Sequence, residues 1–236
     1  MITIDFNRLS IRPGDRILDI GCGTGRHTCA AFRFKNAVAI GADINVDDVS
    51  EAKCRLIEQK GLKDYDGGIW GMTVADVLKL PFKDDCFDLV ICSEVMEHIN
   101  DHRNAVSEAV RVLKPNKNLV VSVPRYFPER ICWTLSEEYR TSDNGHVRIY
   151  KKKELVDLLE SAGVKAWKVH SAHSLHTPFW WLKCLVGLSR EDSRLVNKYH
   201  DLLVWDMMQR PRITCFLDRL LNPVMGKSIV VYFRKE

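Results

Sequence analysis

The chain has 236 residues, 46% of them apolar and 28% charged. That balance suits one globular α/β domain and excludes a disordered, collagen-like or repeat protein. The net charge of +4 is too small for a dedicated nucleic-acid binder. The charge is uneven: residues 1–124 carry 16 Lys/Arg against 18 Asp/Glu, and the remainder 19 against 13. The second half is therefore the side expected to meet any anionic acceptor.

The eight cysteines include no C-x-x-C pair, and most lie in apolar runs, as Cys92 does in Leu89-Val90-Ile91-Cys92. Such thiols behave as small hydrophobes. The N-terminal stretch MITIDFNRLS has no signal-peptide core, and no apolar run approaches a membrane span. A reduced, cytoplasmic protein without stable membrane insertion is expected.

In chain order, Pro13-Gly14-Asp15 opens a short strand at Arg16–Ile20, followed by glycines and a helix through Phe34. A second strand is expected at 37–43. The next helix has Asp47 and Asp48 in its first turn, where negative charge suits the helix dipole, and stops at Gly61. A third strand is expected at Trp70–Ala75 and a fourth at Phe87–Cys92. Ala105, Val106, Ala109, Val110 and Leu113 recur at helical spacing, Pro115-Asn116 ends that helix, and a fifth strand at Leu119–Val123 leads to Pro124. Near-continuous apolar strands alternating with helices predict a doubly wound, mostly parallel sheet covered on both faces.

Residues 125–150 read as irregular, with an Asn144-Gly145 turn. A helix at Lys151–Ala162, a strand at Val164–Val169 and a final strand at Ser228–Phe233 follow. The Trp- and Leu-rich stretch between the last two, punctuated by Pro178, Pro211 and Pro223, is too long for a plain connection. The whole is expected to be one α/β domain: a Rossmann-like, seven-stranded sheet with a helical lid inserted before the last strand. The core comprises 10–124, 151–170 and 227–236, and the acceptor-facing segments 125–150 and 171–226.

The chemistry starts at Asp19-Ile20-Gly21-Cys22-Gly23-Thr24-Gly25, which leaves the first strand and enters a helix. Glycine lets the backbone turn tightly and approach a ligand, and a ligand of an open α/β sheet sits above such a turn. The spacing is G-x-G-x-G rather than the G-x-G-x-x-G of dinucleotide binders. Asp19 beside the loop would repel a phosphate and attract a sulfonium or ammonium. Asp43 ends the second strand, 20 residues after Gly23, where an acid accepts from both hydroxyls of a ribose.

With these residues in view, the first 124 positions resemble the class I S-adenosylmethionine (SAM)-dependent methyltransferases, specifically their small-molecule branch. The stretches ILDIGCGTGRHT, GADIN, VADVLKLPFKDDCFDLVICSEVMEHI and RVLKPNKNLVVSVPRY carry the resemblance. It implies that Asp19, Gly21, Cys22 and Gly23 surround the methionine end of SAM, that Asp43 holds the ribose and that Ile44 packs on the adenine. Asp76 would accept from the adenine amino group with Val77 beside it, and Ser93 and Glu94 would face the methionine moiety and the acceptor.

Methyl transfer from a sulfonium needs alignment above all; a hydroxyl acceptor also needs a base. His98, in Glu94-Val95-Met96-Glu97-His98, is the first candidate and His146 the second, with Arg148 and Tyr150 as acceptor contacts. His173 and His176 are weaker. No compact carboxylate cluster stands apart from the residues assigned to SAM, so no metal site is expected. Phe179-Trp180-Trp181-Leu182 and Trp205 either line an acceptor site, lipid-linked acceptors included, or pack the lid of a monomer or homodimer. The expected function is methylation of a small-molecule hydroxyl, with N- or C-methylation as the alternative. An NAD(P) oxidoreductase, a non-catalytic SAM-binding partner and an RNA methyltransferase are the other classes. The first is disfavoured by the glycine spacing, the second by the intact motifs, and the third by the lack of a basic tract or an Asn-Pro-Pro-Tyr-type motif.

Overall fold

A computed structural model describes residues 1–61, 68–141, 146–190 and 192–236. After a single 3-10 turn at Phe6–Arg8, the elements run β1 (Arg16–Ile20), α1 (Arg26–Phe32), β2 (Val38–Asp43), α2 (Val46–Lys60), β3 (Ile69–Val74), β4 (Phe87–Ser93), α3 (His102–Val112) and β5 (Leu113–Pro124). Then come α4 (Tyr126–Leu135), α5 (Glu137–Thr141), α6 (Lys152–Glu160), β6 (Val164–Ala172), α7 (His176–Val186), α8 (Arg194–Gln209), α9 (Arg212–Met225) and β7 (Ser228–Lys235).

The seven strands form one sheet in the order β3-β2-β1-β4-β5-β7-β6. β1 pairs in parallel with β2 on one side and β4 on the other, and β7 runs antiparallel between β5 and β6. Because side chains alternate across a strand, successive residues feed opposite faces. Leu18, Val90, Leu119 and Phe233 join the core under α3 and α6, whereas Ile17, Leu89, Val120 and Tyr232 join the core under α1 and α2. The expected fold class is observed.

Local signals set the helix ends. Asn45 caps α2 by accepting from the backbone N–H groups of Asp47 (2.9 Å) and Asp48 (3.4 Å). Asp101 does the same for α3 through the Asn104 N–H at 3.2 Å.

Three expectations need correction. Residues 126–141, read as irregular, carry α4 and α5; α4 presents buried Pro128, Glu129 and Cys132 to the interior, an inward face too short for periodicity to stand out among its polar residues. The Asn144-Gly145 turn lies outside the described residues. The helix expected to run to Pro115-Asn116 gives way at Leu113, where β5 begins and Phe87 pairs with Leu113; Asn116 adopts a left-handed φ of 62° as the register shifts. Pro223 does not end the last lid helix but lies inside α9.

Phe32 is fully buried where α1 meets the sheet. Phe32→Ala should lower unfolding stability by roughly 3–5 kcal/mol in urea denaturation, the usual cost of an aromatic-sized cavity. A change under about 1 kcal/mol would mean that α1 does not rest on this side chain.

Candidate active site

The strand order reverses between β1 and β4, since the chain moves outward to β2 and β3 before returning to the far side of β1. In open α/β sheets ligands bind at this switch point. Here the loops after β1 and β4 meet: a Cβ on Gly21 would lie 2.3 Å from Val95 Cγ2, and Gly21 has φ 62°. Any side chain there would be strained and would force Val95 to shift. The Cys22 N–H donates to Ala42 O at 3.1 Å, and the Gly23 N–H donates to Asp43 Oδ2 at 2.7 Å. The ends of β1 and β2 are thereby tied, with the second Asp43 oxygen accepting from the Asn45 N–H at 2.9 Å.

A cleft of about 300 Å³ opens between the two loops, lined by Gly21, Cys22, Gly23, Thr24, Ser93 and Glu94, with Trp180 and Lys227 across from them. A larger hollow of about 750 Å³ lies beside α4 and α9, but its lining omits the glycine loop and carries Arg125, Lys151, Lys152 and Arg219. That basic wall would repel a sulfonium, so the smaller cleft is the candidate site.

The sequence-derived residues fall into distinct positions. Gly21, Cys22, Gly23, Ser93 and Glu94 line the cleft. Ile44, just past Asp43, is 69% exposed, an uncovered apolar surface at a strand end. Asp76 is exposed and accepts from the Leu78 N–H at 2.9 Å, while Val77 is buried in the core at the same turn. Asp19 does not reach the cleft wall. It is buried beneath the glycine loop and accepts from Thr28 Oγ1 at 2.7 Å. Burial pushes its carboxyl up to about 7, aided by the nearby charge of Asp43 and against the Thr28 hydrogen bonds.

Glu94 adopts a left-handed φ of 56°, a conformation that a non-glycine residue keeps only under constraint. Its N–H donates to Ser122 O at 2.9 Å, its Oε1 accepts from Ser122 Oγ at 2.8 Å, and Ser122 Oγ also meets Ser93 Oγ at 2.7 Å. Burial raises the Glu94 carboxyl, and its bond from Ser122 and the charges of Lys227 and His146 act against that.

His98 and His146, 48 positions apart, come together with ring centroids 5.0 Å apart, edge to face. Between them stands Glu97, 1% exposed, with each Nε2 4.0 Å from its Oε1. Burial raises the Glu97 carboxyl well above its ordinary range, and the charges of Glu94 and Glu129 add to the shift. Behind His146, its Nδ1 lies 2.6 Å from Glu129 Oε1; Tyr139 OH donates to Glu129 Oε2 at 3.3 Å, and Lys227 Nζ approaches it at 3.4 Å. Burial works against ionisation of Glu129, but the bond to His146 and the charge of Lys227 prevail and hold its carboxyl below the ordinary range.

Arg148 and Tyr150 do not serve as acceptor contacts. The Arg148 guanidinium donates to Ile99 O and, at 3.0 Å, to Asn100 O. Tyr150 is buried against His102 Nδ1 at 2.5 Å. Both are committed to fixing the loop after β4. His173 lines the cleft and meets Thr3 Oγ1 at 3.3 Å, but burial lowers it to about 3, and His176 is lowered to about 4. Neither is a useful base near neutrality. In the lid, Trp180 faces the cleft with Lys227 Nζ 5.1 Å from its ring centroid, whereas Trp181 donates to Pro128 O at 3.1 Å and Trp205 is half exposed. Glu97, Glu129, Tyr139 and Lys227 went unmarked by motif reading. Only Glu97 carries a local signal, its place beside His98 in Glu-Val-Met-Glu-His.

Residues 11–163 match the protein family described as a methyltransferase domain. The chain belongs to the class I SAM-dependent methyltransferases. Among curated relatives, methyltransferase GfsG of Streptomyces halstedii is 31% identical over 50% of this chain and 40% of its own length. A 27-O-demethylrifamycin SV methyltransferase from Amycolatopsis mediterranei is 27% identical over 73% and 62%, and a 24-methylenesterol C-methyltransferase from Arabidopsis thaliana is 27% identical over 76% and 49%. The chain thus spans about two fifths to three fifths of these relatives' lengths.

Solved structures agree on the fold. A SAM-dependent methyltransferase from Methanosarcina mazei matches with TM-score 0.62 at 17% identity, covering 100% of this chain and 99% of that one. The [4+2]-cyclase SpnF matches with TM-score 0.62 at 19% identity, covering 98% and 78%. The fold therefore hosts more than one chemistry, and the activity is set by the residues of the site.

The cofactor of this family is SAM, and the cleft suits it. A Cβ at Gly23 would meet nothing within 4 Å, so the space above the loop is open; the Asp43 carboxylate stands at one end and the bare Ile44 surface beyond it. A cationic ligand above the loop would also favour the ionised form of Asp19.

The raised Asp19 carboxyl gives a pH signature. Its folded value, about 7, exceeds the ordinary aspartate value of 3.8, so its contribution to stability is greatest below pH 3.8 and is lost as pH rises through 7. Asp19→Asn keeps an acceptor for Thr28 without the charge. It should raise the Tm by about 4 °C or more at pH 8, with the gain shrinking toward pH 4. A gain independent of pH would show that Asp19 does not titrate in this range.

Proposed function

We propose that this methyltransferase moves the SAM methyl group to a hydroxyl of a small-molecule acceptor that enters beneath the α7–α9 lid. The observation that carries the reading is the Glu97–His98–His146 cluster next to the cleft-lining Glu94, whose charge acts on Glu97, a concentration of titratable groups that alignment alone would not require.

Bound SAM supplies a methyl group already activated on a sulfonium. Asp43 would accept from the ribose hydroxyls with the lone pairs left over from Gly23 and Asn45, and Ile44 would cover one adenine face. Gly21, Cys22 and Gly23 would bring backbone close to the methionine end, with Ser93 and Glu94 toward the acceptor. Trp180 would exclude water from the reacting atoms. The acceptor oxygen gives up its proton at the Glu97–His98–His146 wall as its bond to the methyl carbon forms, and the sulfur keeps the electron pair of the broken bond.

An apolar acceptor is supported by the lid, where Trp205, Met208, Ile213, Phe216 and Leu220 are all about half or more exposed. The sterol and rifamycin named for two relatives are also bulky and largely apolar. Carbon methylation is the second reading, because the sterol relative is a C-methyltransferase and a buried carboxyl such as Glu97 would stabilise a developing carbocation. No helix among the described residues is long and apolar enough to cross a membrane.

Calorimetry with S-adenosylhomocysteine tests the cofactor assignments. Asp43→Ala should weaken binding at least tenfold. His98→Ala should leave that affinity within about twofold while lowering turnover by roughly 10²–10⁴-fold, the contribution of a positioned proton acceptor. Unchanged binding in the first variant would remove Asp43 from the ribose, and full activity in the second would remove the wall from the proton transfer.

A further inference from the structure

Glu97 is buried, and neither of its carboxyl oxygens has a hydrogen-bond partner among the described residues. An ionised carboxylate without a donor is costly in that setting, and a protonated one would still lack an acceptor for its proton. What surrounds it is a set of metal-ligating atoms. Glu97 Oε1, His98 Nε2 and His146 Nε2 lie within 4.8 Å of one another.

The histidine behind the cluster is oriented for ligation. Glu129, held ionised by Tyr139 and Lys227, must accept from His146 Nδ1 at 2.6 Å, so Nδ1 carries the proton and Nε2 presents its lone pair to Glu97. A carboxylate gripping the outer nitrogen of a ligating imidazole is the usual support of a metal site. Metal–ligand bonds of about 2.0–2.2 Å put adjacent ligand atoms roughly 3 Å apart. The cluster is open by about an ångström relative to that, within reach of side-chain rotation by Glu97 and the exposed His98.

We propose that Glu97, His98 and His146 bind one divalent transition-metal ion, with Glu129 fixing His146 from behind. One carboxylate and two imidazoles favour zinc, manganese, iron or cobalt over calcium. The ion replaces the missing partner of Glu97. Glu94, which lines the cleft, lies close enough for its charge to raise the Glu97 carboxyl. The use of the ion rests on the hydroxyl-acceptor reading: an alcohol or phenol oxygen bound to it loses its proton to water more readily, then bonds to the methyl carbon and displaces the sulfur, which leaves as S-adenosylhomocysteine with the electron pair of the broken carbon–sulfur bond. His98 is then a ligand rather than the base itself.

The test is titration of the full chain, stripped with chelator and free of any histidine tag, with Co²⁺. It is followed by calorimetry and visible absorption, and S-adenosylhomocysteine binding is measured on the same samples. One equivalent should bind with a d–d spectrum of mixed nitrogen–oxygen coordination. Glu97→Gln and His146→Ala should each weaken Co²⁺ at least tenfold, and Glu129→Gln should weaken it by about 10–100-fold, all with S-adenosylhomocysteine affinity kept as proof of folding. Absence of stoichiometric binding by protein that still binds S-adenosylhomocysteine overturns the site, as does equal Co²⁺ affinity in the Glu97 and His146 variants. Stoichiometric, variant-sensitive Co²⁺ binding without methylation of any hydroxyl would uphold the site and sink the hydroxyl-acceptor reading instead.

Discussion

The parallel pairing of β1 with β4 sets where everything else at the carboxyl end of the sheet can stand. Ile20 lies beside Cys92 in that pairing, so the two following loops leave the sheet at the same height and must share one space. They do so only because Gly21 has no side chain to meet Val95. A bulkier residue would push the loops apart and with them Ser93, Glu94 and Glu97. The glycine loop is thus as much a fitting between two strands as a floor for the cofactor.

Burying carboxyl groups is the recurring cost of this site, and the fold meets it in four different ways. Asp19 takes a hydroxyl and titrates near neutrality. Glu94 takes a serine and a strained backbone. Glu129 takes a lysine, a tyrosine and a histidine, and stays ionised. Glu97 takes nothing but two imidazole nitrogens at 4.0 Å. The gradient runs from the glycine loop, where charge is tempered, to the Glu97 cluster, where it is left unresolved.

How much of this was legible in the sequence depends on range. The glycine loop, Asp43 at the end of β2 and the strand before Ser93 are local patterns, because a parallel strand buried on both faces is written as a contiguous apolar run. The wall was half legible. His98 and His146 each stand out, but nothing local says that the chain returns over 48 positions to place them edge to face, and Glu97 reads as one more charge in a polar stretch. Lys227 and Glu129 carry no motif; their meaning arises only from α4 and the start of β7 converging. Arg148 and Tyr150 mislead for the converse reason, since polar side chains near a histidine resemble substrate contacts until their partners are seen: the carbonyls of Ile99 and Asn100 for Arg148, and His102 for Tyr150.

The lid leaves the sheet at Ala172 and re-enters at Ser228, and those two residues are register partners. Just beyond that junction the two legs are fastened again, by Ser174 N–H to Asn222 Oδ1 at 2.9 Å and by Thr177 Oγ1 to Met225 O at 2.6 Å. Some 55 residues therefore leave and rejoin the sheet at one junction at the rim of the cleft, and their helices are braced further along by α4, where Trp181 donates to Pro128 O. The sheet's hydrogen-bond ladder passes beneath the junction and does not register what the helices above it contain. Changes inside the segment can therefore leave the β6–β7 register intact, so the sheet and the helices above it answer to separate constraints except where Trp180 and Lys227 reach the cleft.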